Sequence, residues 1–233
     1  MVELSPDEVV FWQMGFVSIN ETILFTWVVM AILLLLGWLS TRHLSPEPPF
    51  SRSQNLLEIL LGYMQSQIKE IAQMDPDRYL PFSGTLFLFI SLANLLDVVP
   101  GYRTPTSSIS TTAALAICVF FAVPIYGVAQ SGIRGYLKHY AQPTILMLPF
   151  HIIGELSRTL ALAVRLFGNM MSESMLMAIL LTIAPLFLPV LLDLLGLLIG
   201  QVQAYIFAVL ATVYIVSASS AQESTAMRLK IKS

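Results

Sequence analysis

Charge and cysteine are what this chain has least of. Asp, Glu, Lys and Arg make up 11% of its 233 residues, against roughly 25% in a soluble domain, which excludes an ordinary globular core under a charged shell. A single cysteine, Cys118, excludes an internal disulfide, and its place between Ile117 and Val119 reads as a small core residue. The basic residues are neither clustered nor set in a nucleic-acid motif, and the net charge is -2, so no nucleic-acid partner is expected. H-E-x-x-H and G-x-S-x-G are both missing, which removes the two intramembrane enzyme chemistries with the plainest signatures. There is no internal repeat, whereas a secondary ion transporter, the alternative reading, is commonly built from repeated halves.

What the chain does have is apolar length. Hydrophobic residues make up 56% of it, in blocks over Thr22–Trp38, Leu80–Val99, Thr111–Ala129 and most of Thr144–Ala221. Each reaches the roughly 20 residues that a helix needs to cross about 30 Å of hydrocarbon. The first block is too long for a signal-peptide core and lacks a small-residue cleavage site, so it is read as a structural span. Backbone facing lipid must satisfy its own hydrogen bonds, so the spans are helices. The expected fold is an all-α integral membrane domain: five membrane-embedded helices plus one amphipathic surface helix, the last two embedded helices forming a long tilted hairpin. The expected limits are an outside segment 1–21, span 22–42, surface helix 54–74, spans 80–100 and 110–131, long helices 144–184 and 186–221, and a cytoplasmic tail 222–233.

The surface helix is assigned from Leu57, Leu60, Leu61, Met64, Ile68 and Ile71 on one face, with Glu58, Gln65 and Lys69 elsewhere. Proline breaks bound it at Ser45–Pro49 and at Asp75-Pro76. Arg42, Arg52, Arg134, Lys138, Arg228, Lys230 and Lys232 all fall on one side of the expected spans, and Arg103 alone on the other. Basic residues near span ends favour the cytoplasm, which places the N-terminus outside and the C-terminus in the cytoplasm.

Ionisable groups at membrane depth are costly, and so are functional candidates. Glu155, Arg158, Arg165, Asn169 and Ser172 form one stripe of the fourth span, at spacings of three, seven, four and three. Arg165 is the deepest, behind Leu-Ala-Leu-Ala-Val. It reads either as a structural arginine, paired with Glu155 or Glu173 or stretched towards an interface, or as a functional cation. Arg158 lies nearer the span's end, where salt bridging to Glu155 and a functional role are equally open. His151 and Glu155 are one turn apart, but two ligands without a third leave no metal site expected; no cofactor is expected either. In the last span Asp193, Gly196, Gly200, Gln203, Phe207 and Tyr214 share a face. The glycines suit close packing, and an antiparallel hairpin through Pro185–Pro189 brings Gln203 towards Arg165.

Arg165-Leu166-Phe167-Gly168-Asn169 after Ser157-Arg158, with Gln203-Ala204-Tyr205-Ile206-Phe207 in the next span, resembles the paired signature of F-type ATP synthase a subunits. Asn94-Leu95-Leu96-Asp97-Val98-Val99-Pro100 and Thr104-Pro105-Thr106-Ser107 are similar to that family's upstream motifs, so the resemblance covers about Thr22 to Ala221. It implies a non-catalytic, ion-translocating stator subunit in a bacterial cell (inner) membrane, forming two half-channels against a c-subunit ring. Its implied partners are that ring, b-type peripheral stalk subunits, the soluble ATP-hydrolysing sector and membrane lipid. It implies that Arg165 is the essential arginine, a fixed cation that favours an ionised ring carboxylate and blocks leakage between half-channels. Gln203 matches a polar residue facing the arginine, Asn169 a channel-lining asparagine, and Asn94 with Asp97 a polar route on one side. Glu155, Arg158, Glu173 and Asp193 complete the expected ion pathway. The chain departs from the pattern at two places: many relatives put an acidic residue at the position of Ser174, and some put histidine or glutamate at that of Gly196. Protons, or alternatively sodium ions, are the expected cargo.

Overall fold

The computed structural model describes residues 10–14, 17–42, 52–72, 76–99, 101–140, 147–183 and 188–231. The segment 1–9, the proline-rich stretch 45–49, Asp75, the turn residues 184–187 and Lys232 lie outside the described residues.

The chain begins with a two-stranded antiparallel hairpin, β1 (Val10–Met14) and β2 (Val17–Asn20), within the stretch expected to precede the first span. Six helices follow: α1 (Glu21–Thr41), α2 (Arg52–Ala72), α3 (Leu80–Leu95), α4 (Ile109–Tyr140), α5 (Met147–Ile183) and α6 (Leu188–Ile231). All but α2 contain a stretch long and apolar enough to cross a membrane. A 3-10 turn, Leu96–Val98, extends α3. Helix α4 breaks at Gly132, whose φ of 71° lies in the left-handed region that glycine enters freely. Helix α6 continues to Ile231, through much of the stretch read from sequence as a tail.

The helical period explains the core. Leu162, Leu166 and Met170, each four residues apart, turn one face of α5 inward. They meet Ala204, Phe207 and Ala211 of α6, Ala116 and Val119 of α4, and Leu86, Phe89, Ile90 and Ala93 of α3, with Val29 of α1 closing the cluster. The alanines let the α3, α4 and α6 backbones approach closely where no water drives helices together. A second cluster joins Ile68 of α2 to Tyr79, to Ala122 and Val123 of α4, and to Ile215 and Val216 of α6. Through Met64 and Ile68 α2 docks on the bundle, while Glu58, Gln65 and Lys69 stay exposed; Leu61, expected on the docking face, is exposed as well. Cys118 is also exposed and not in the core, because Ala116 and Val119 take the inward face of α4.

One end of the bundle collects several features. Arg103, in the loop after α3, pairs with Glu21 at the start of α1 at 3.6 Å. Beside it, Tyr102 and Phe25 stack edge to face at 4.8 Å. The same loop shares a cavity with the end of α5 and the start of α6. The one basic residue on the minority side thus has a carboxylate partner.

Candidate functional site

Helix α5 presents opposite faces to two environments. The Leu162–Leu166–Met170 face is buried, which leaves Arg165 and Asn169 on the exposed face near the middle of the span Pro149–Ile183. Apolar residues of α5 next to it are exposed as well, Leu160 and Val164 among them, and so are Leu198 and Val202 of α6. Among the described residues no carboxylate lies within ion-pair distance of the Arg165 guanidinium. The pairings open to it in sequence are taken: Glu155 faces Arg158 at 4.0 Å, and Glu173 lies against Gly196.

One turn from Arg165, Asn169 Nδ2 donates to Gln203 Oε1 at 2.8 Å. Gln203 is 3% exposed, and its Nε2 has no partner among the described residues. The hairpin therefore brings Gln203 onto Asn169, one turn nearer the α5–α6 turn than Arg165, where the sequence had suggested the arginine itself. A buried amide donor without a partner costs about 1–3 kcal/mol, and the site is polar enough on the Gln203 side for a water to meet it.

Towards the end of the bundle that holds the Arg103–Glu21 pair, a cavity of about 560 Å³ opens. Asp97, Glu173 and Asp193 all line it, from the turn after α3, from α5 and from α6, with Tyr102, Arg103 and Ser174 on its walls. A smaller pocket of about 10 Å³ shares those three carboxylates and adds Asn94, Met170 and Gly196. It is roughly one water in size, and Met170, the residue after Asn169, is on its wall. Gly196 makes this lining possible, since a Cβ there would overlap the Glu173 carboxyl group. The two departures from the family pattern are thus a matched pair: the acidic side chain of α5 fills the room that α6 leaves by having glycine.

Asn94 and Arg158 are placed differently from the rest. Asn94 is 3% exposed; its Nδ2 donates to the Gly200 carbonyl at 2.9 Å and its Oδ1 accepts from Thr106 Oγ1 at 2.8 Å. Arg158, besides facing Glu155, sits 5.6 Å over the Tyr214 ring, a cation–π contact that ties α5 to α6. Exposed pairs of this kind contribute under about 1 kcal/mol. Arg158→Ala is therefore expected to lower ion transport in the assembled complex by less than tenfold, measured as initial ATP-driven uptake. Among the described residues no group of three or more His, Cys, Asp or Glu is placed to hold a metal ion.

Sequence reasoning missed two polar residues of α3 and their α6 partners: buried Ser83 on Thr212, and half-buried Ser91 on Gln201. Their signal was present as isolated polar residues on one side of an apolar span. It also missed Tyr205 Oη donating to Gln67 Oε1 of α2 at 2.7 Å.

Residues 23–216 match the family described as ATP synthase A chain. The chain is similar to ATP synthase subunit a 2 of Acaryochloris marina, at 57% identity over 222 residues covering 95% of both chains. It is similar to ATP synthase subunit a 1 of Chlorobaculum parvum, at 58% identity over 96% of this chain and 99% of that one. ATP synthase subunit a of Albidiferax ferrireducens is 57% identical over 94% of each chain. With five helices of membrane-spanning length and a family match across most of its residues, this chain is a multi-pass membrane protein that belongs to the ATP synthase A chain family, the a subunits of the F-type ATP synthase membrane sector.

Proposed function

We propose that this stator subunit forms two ion half-channels against the c ring and passes protons between them, with Arg165 as the gate. The observation that carries the reading is Arg165 itself: a guanidinium exposed at mid-span, among apolar side chains, with no carboxylate partner among the described residues. An unpaired charge at that depth is costly, so its counter-charge must come from another chain. A carboxylate on the ring supplies it. The outer half-channel is the cavity lined by Asp97, Glu173 and Asp193, whose carboxylates attract cations to its mouth. From there the route passes Gly196 to Asn169 and Gln203, next to the arginine. Asn94 forms part of its wall, and Glu155 and Arg158 lie on the inner side. The end bearing Glu21 and Arg103 faces outwards, which leaves the inner end of α6 and most basic residues in the cytoplasm. The b-type stalk holds the subunit still while the ring turns and drives the soluble ATP-hydrolysing sector.

Inverted vesicles containing the whole complex provide the test. ATP should drive proton uptake, read with a pH-sensitive dye, without a requirement for sodium; uptake of sodium in its place would overturn the choice of ion, and no ion uptake at all the function. Asn169→Ala and Gln203→Ala are expected to lower the rate about tenfold, the equivalent of roughly 1.4 kcal/mol, because each removes one partner of a bond whose other end is then unmet. Full rates in both variants would separate the Asn169–Gln203 bond from the ion route.

A further inference from the structure

Three polar bridges run along the contact between α3 and α6. Ser83 Oγ and Thr212 Oγ1 are 2.7 Å apart and buried. The Ser91 hydroxyl donates to Gln201 Oε1, and Gln201 Nε2 returns a bond to the Ser91 carbonyl at 3.0 Å. Asn94 Nδ2 reaches the Gly200 carbonyl at 2.9 Å. Eleven residues of α3, from 83 to 94, are matched by twelve of α6, from 212 back to 200, which is the register of two antiparallel helices lying side by side. At 1.5 Å per residue the ladder extends for about 16 Å, half of a ~30 Å hydrocarbon core. Its outer end is anchored again, since Asn94 Oδ1 accepts from Thr106 Oγ1, which bonds Thr104 Oγ1 at 2.9 Å. Gly200 has no room for a side chain without crowding: a Cβ there would lie 3.0 Å from Asn94 Cβ and 3.1 Å from its Nδ2.

We propose that α3 and α6 act as one body during turnover, with Asn94 as a positioning residue that holds Gln203 against Asn169 through the Gly200 carbonyl. Gly200 lies one helical turn before Gln203, so a rotation or slide of α6 that breaks the Asn94 bond also carries the Gln203 amide away from Asn169. In an apolar setting such a movement would strand donors and acceptors that water cannot reach. Four hydrogen bonds at three levels therefore oppose it together. On this proposal the ring moves past an α6 that stays with α3. The inference rests on the ion-channel reading above and adds to it which wall stays still.

The test uses the assembled complex in inverted vesicles, with Cys118→Ser to remove the native thiol and Ser83→Cys with Thr212→Cys to place two thiols where the hydroxyls meet. Sulfur pairs at this side-chain separation close readily into a disulfide. Uptake is compared in the same vesicles before oxidation, after it, and after dithiothreitol. The ladder predicts that the cross-linked complex pumps within about twofold of the reduced one. Loss of uptake on oxidation, restored by dithiothreitol, overturns it. Because each preparation is its own reference, absence of uptake in both states counts against the ion-transport reading and not against the ladder. Ser91→Cys with Gln201→Cys, joined by a short bifunctional thiol reagent that makes up for the lost length of Gln201, gives the same comparison should the first pair fail to assemble.

The positioning role has a separate readout that needs no transport. Asn169→Cys with Gln203→Cys in the Cys118→Ser background reports the α5–α6 register through its rate of cross-linking by a short bifunctional thiol reagent, which makes up for the lost length of the two amide side chains. Adding Asn94→Ala should slow that rate about tenfold; an unchanged rate overturns the role assigned to Asn94.

Discussion

Arg165→Ala is expected to uncouple the complex completely while leaving it assembled. The side chain is exposed and bonded to none of the described residues, so its removal opens no core cavity and breaks no internal contact. What disappears is, among the described residues, the only fixed positive charge at mid-span of α5 and α6, since Arg158 is turned over the Tyr214 ring. Without it a protonated ring carboxylate has no reason to release its proton on arrival, because desolvation alone favours the neutral acid. On the function proposed above, the cation that repels a proton crossing directly from one half-channel to the other is gone as well. Each charge crossing carries about 2.3 kcal/mol per 100 mV, so an imposed voltage should drive protons through the variant without ATP synthesis.

Filling the space at Gly196 should have the next largest effect. A Cβ at that position overlaps the Glu173 carboxyl group, so Gly196→Val displaces that carboxyl and crowds the pocket bounded by Asp97, Asp193 and Asn94. The pocket is about the size of one water, so on the proposed route the change leaves no room for one there. Uptake should fall at least about tenfold, or some 1.4 kcal/mol. The double exchange Glu173→Gly with Gly196→Glu returns a carboxylate to the same volume from the opposite wall and should recover most of the rate. No recovery, with the double variant assembled, would mean that the carboxylate must be held by α5, and the two positions would not be interchangeable.

The spans were legible because membrane insertion is a length and composition rule, and the blocks starting at Thr22, Leu80, Thr111 and Thr144 satisfy it without reference to tertiary contacts. The buried face of α6 was also legible: Gly196, Gly200, Gln203 and Phe207 recur at helical spacing and all four are buried. The i,i+3 pair Glu155–Arg158 followed from one helix alone. Contacts between helices were a different matter. Nothing local announces that the partner of Asn94 is the backbone carbonyl of Gly200, 106 residues away, or that Glu173 needs glycine across the hairpin. Both depend on the relative register of two helices, which hydrophobic periodicity does not specify. The N-terminal hairpin was missed because its ten or so residues precede the first apolar run and were read only by their charge.

The account stands most directly on the initial rate of ATP-driven proton uptake in inverted vesicles carrying equal amounts of assembled wild-type or Arg165→Ala complex. It predicts rapid uptake in the first and none in the second, with the c ring still co-purifying. Normal uptake in the variant would contradict it and return Arg165 to a structural role.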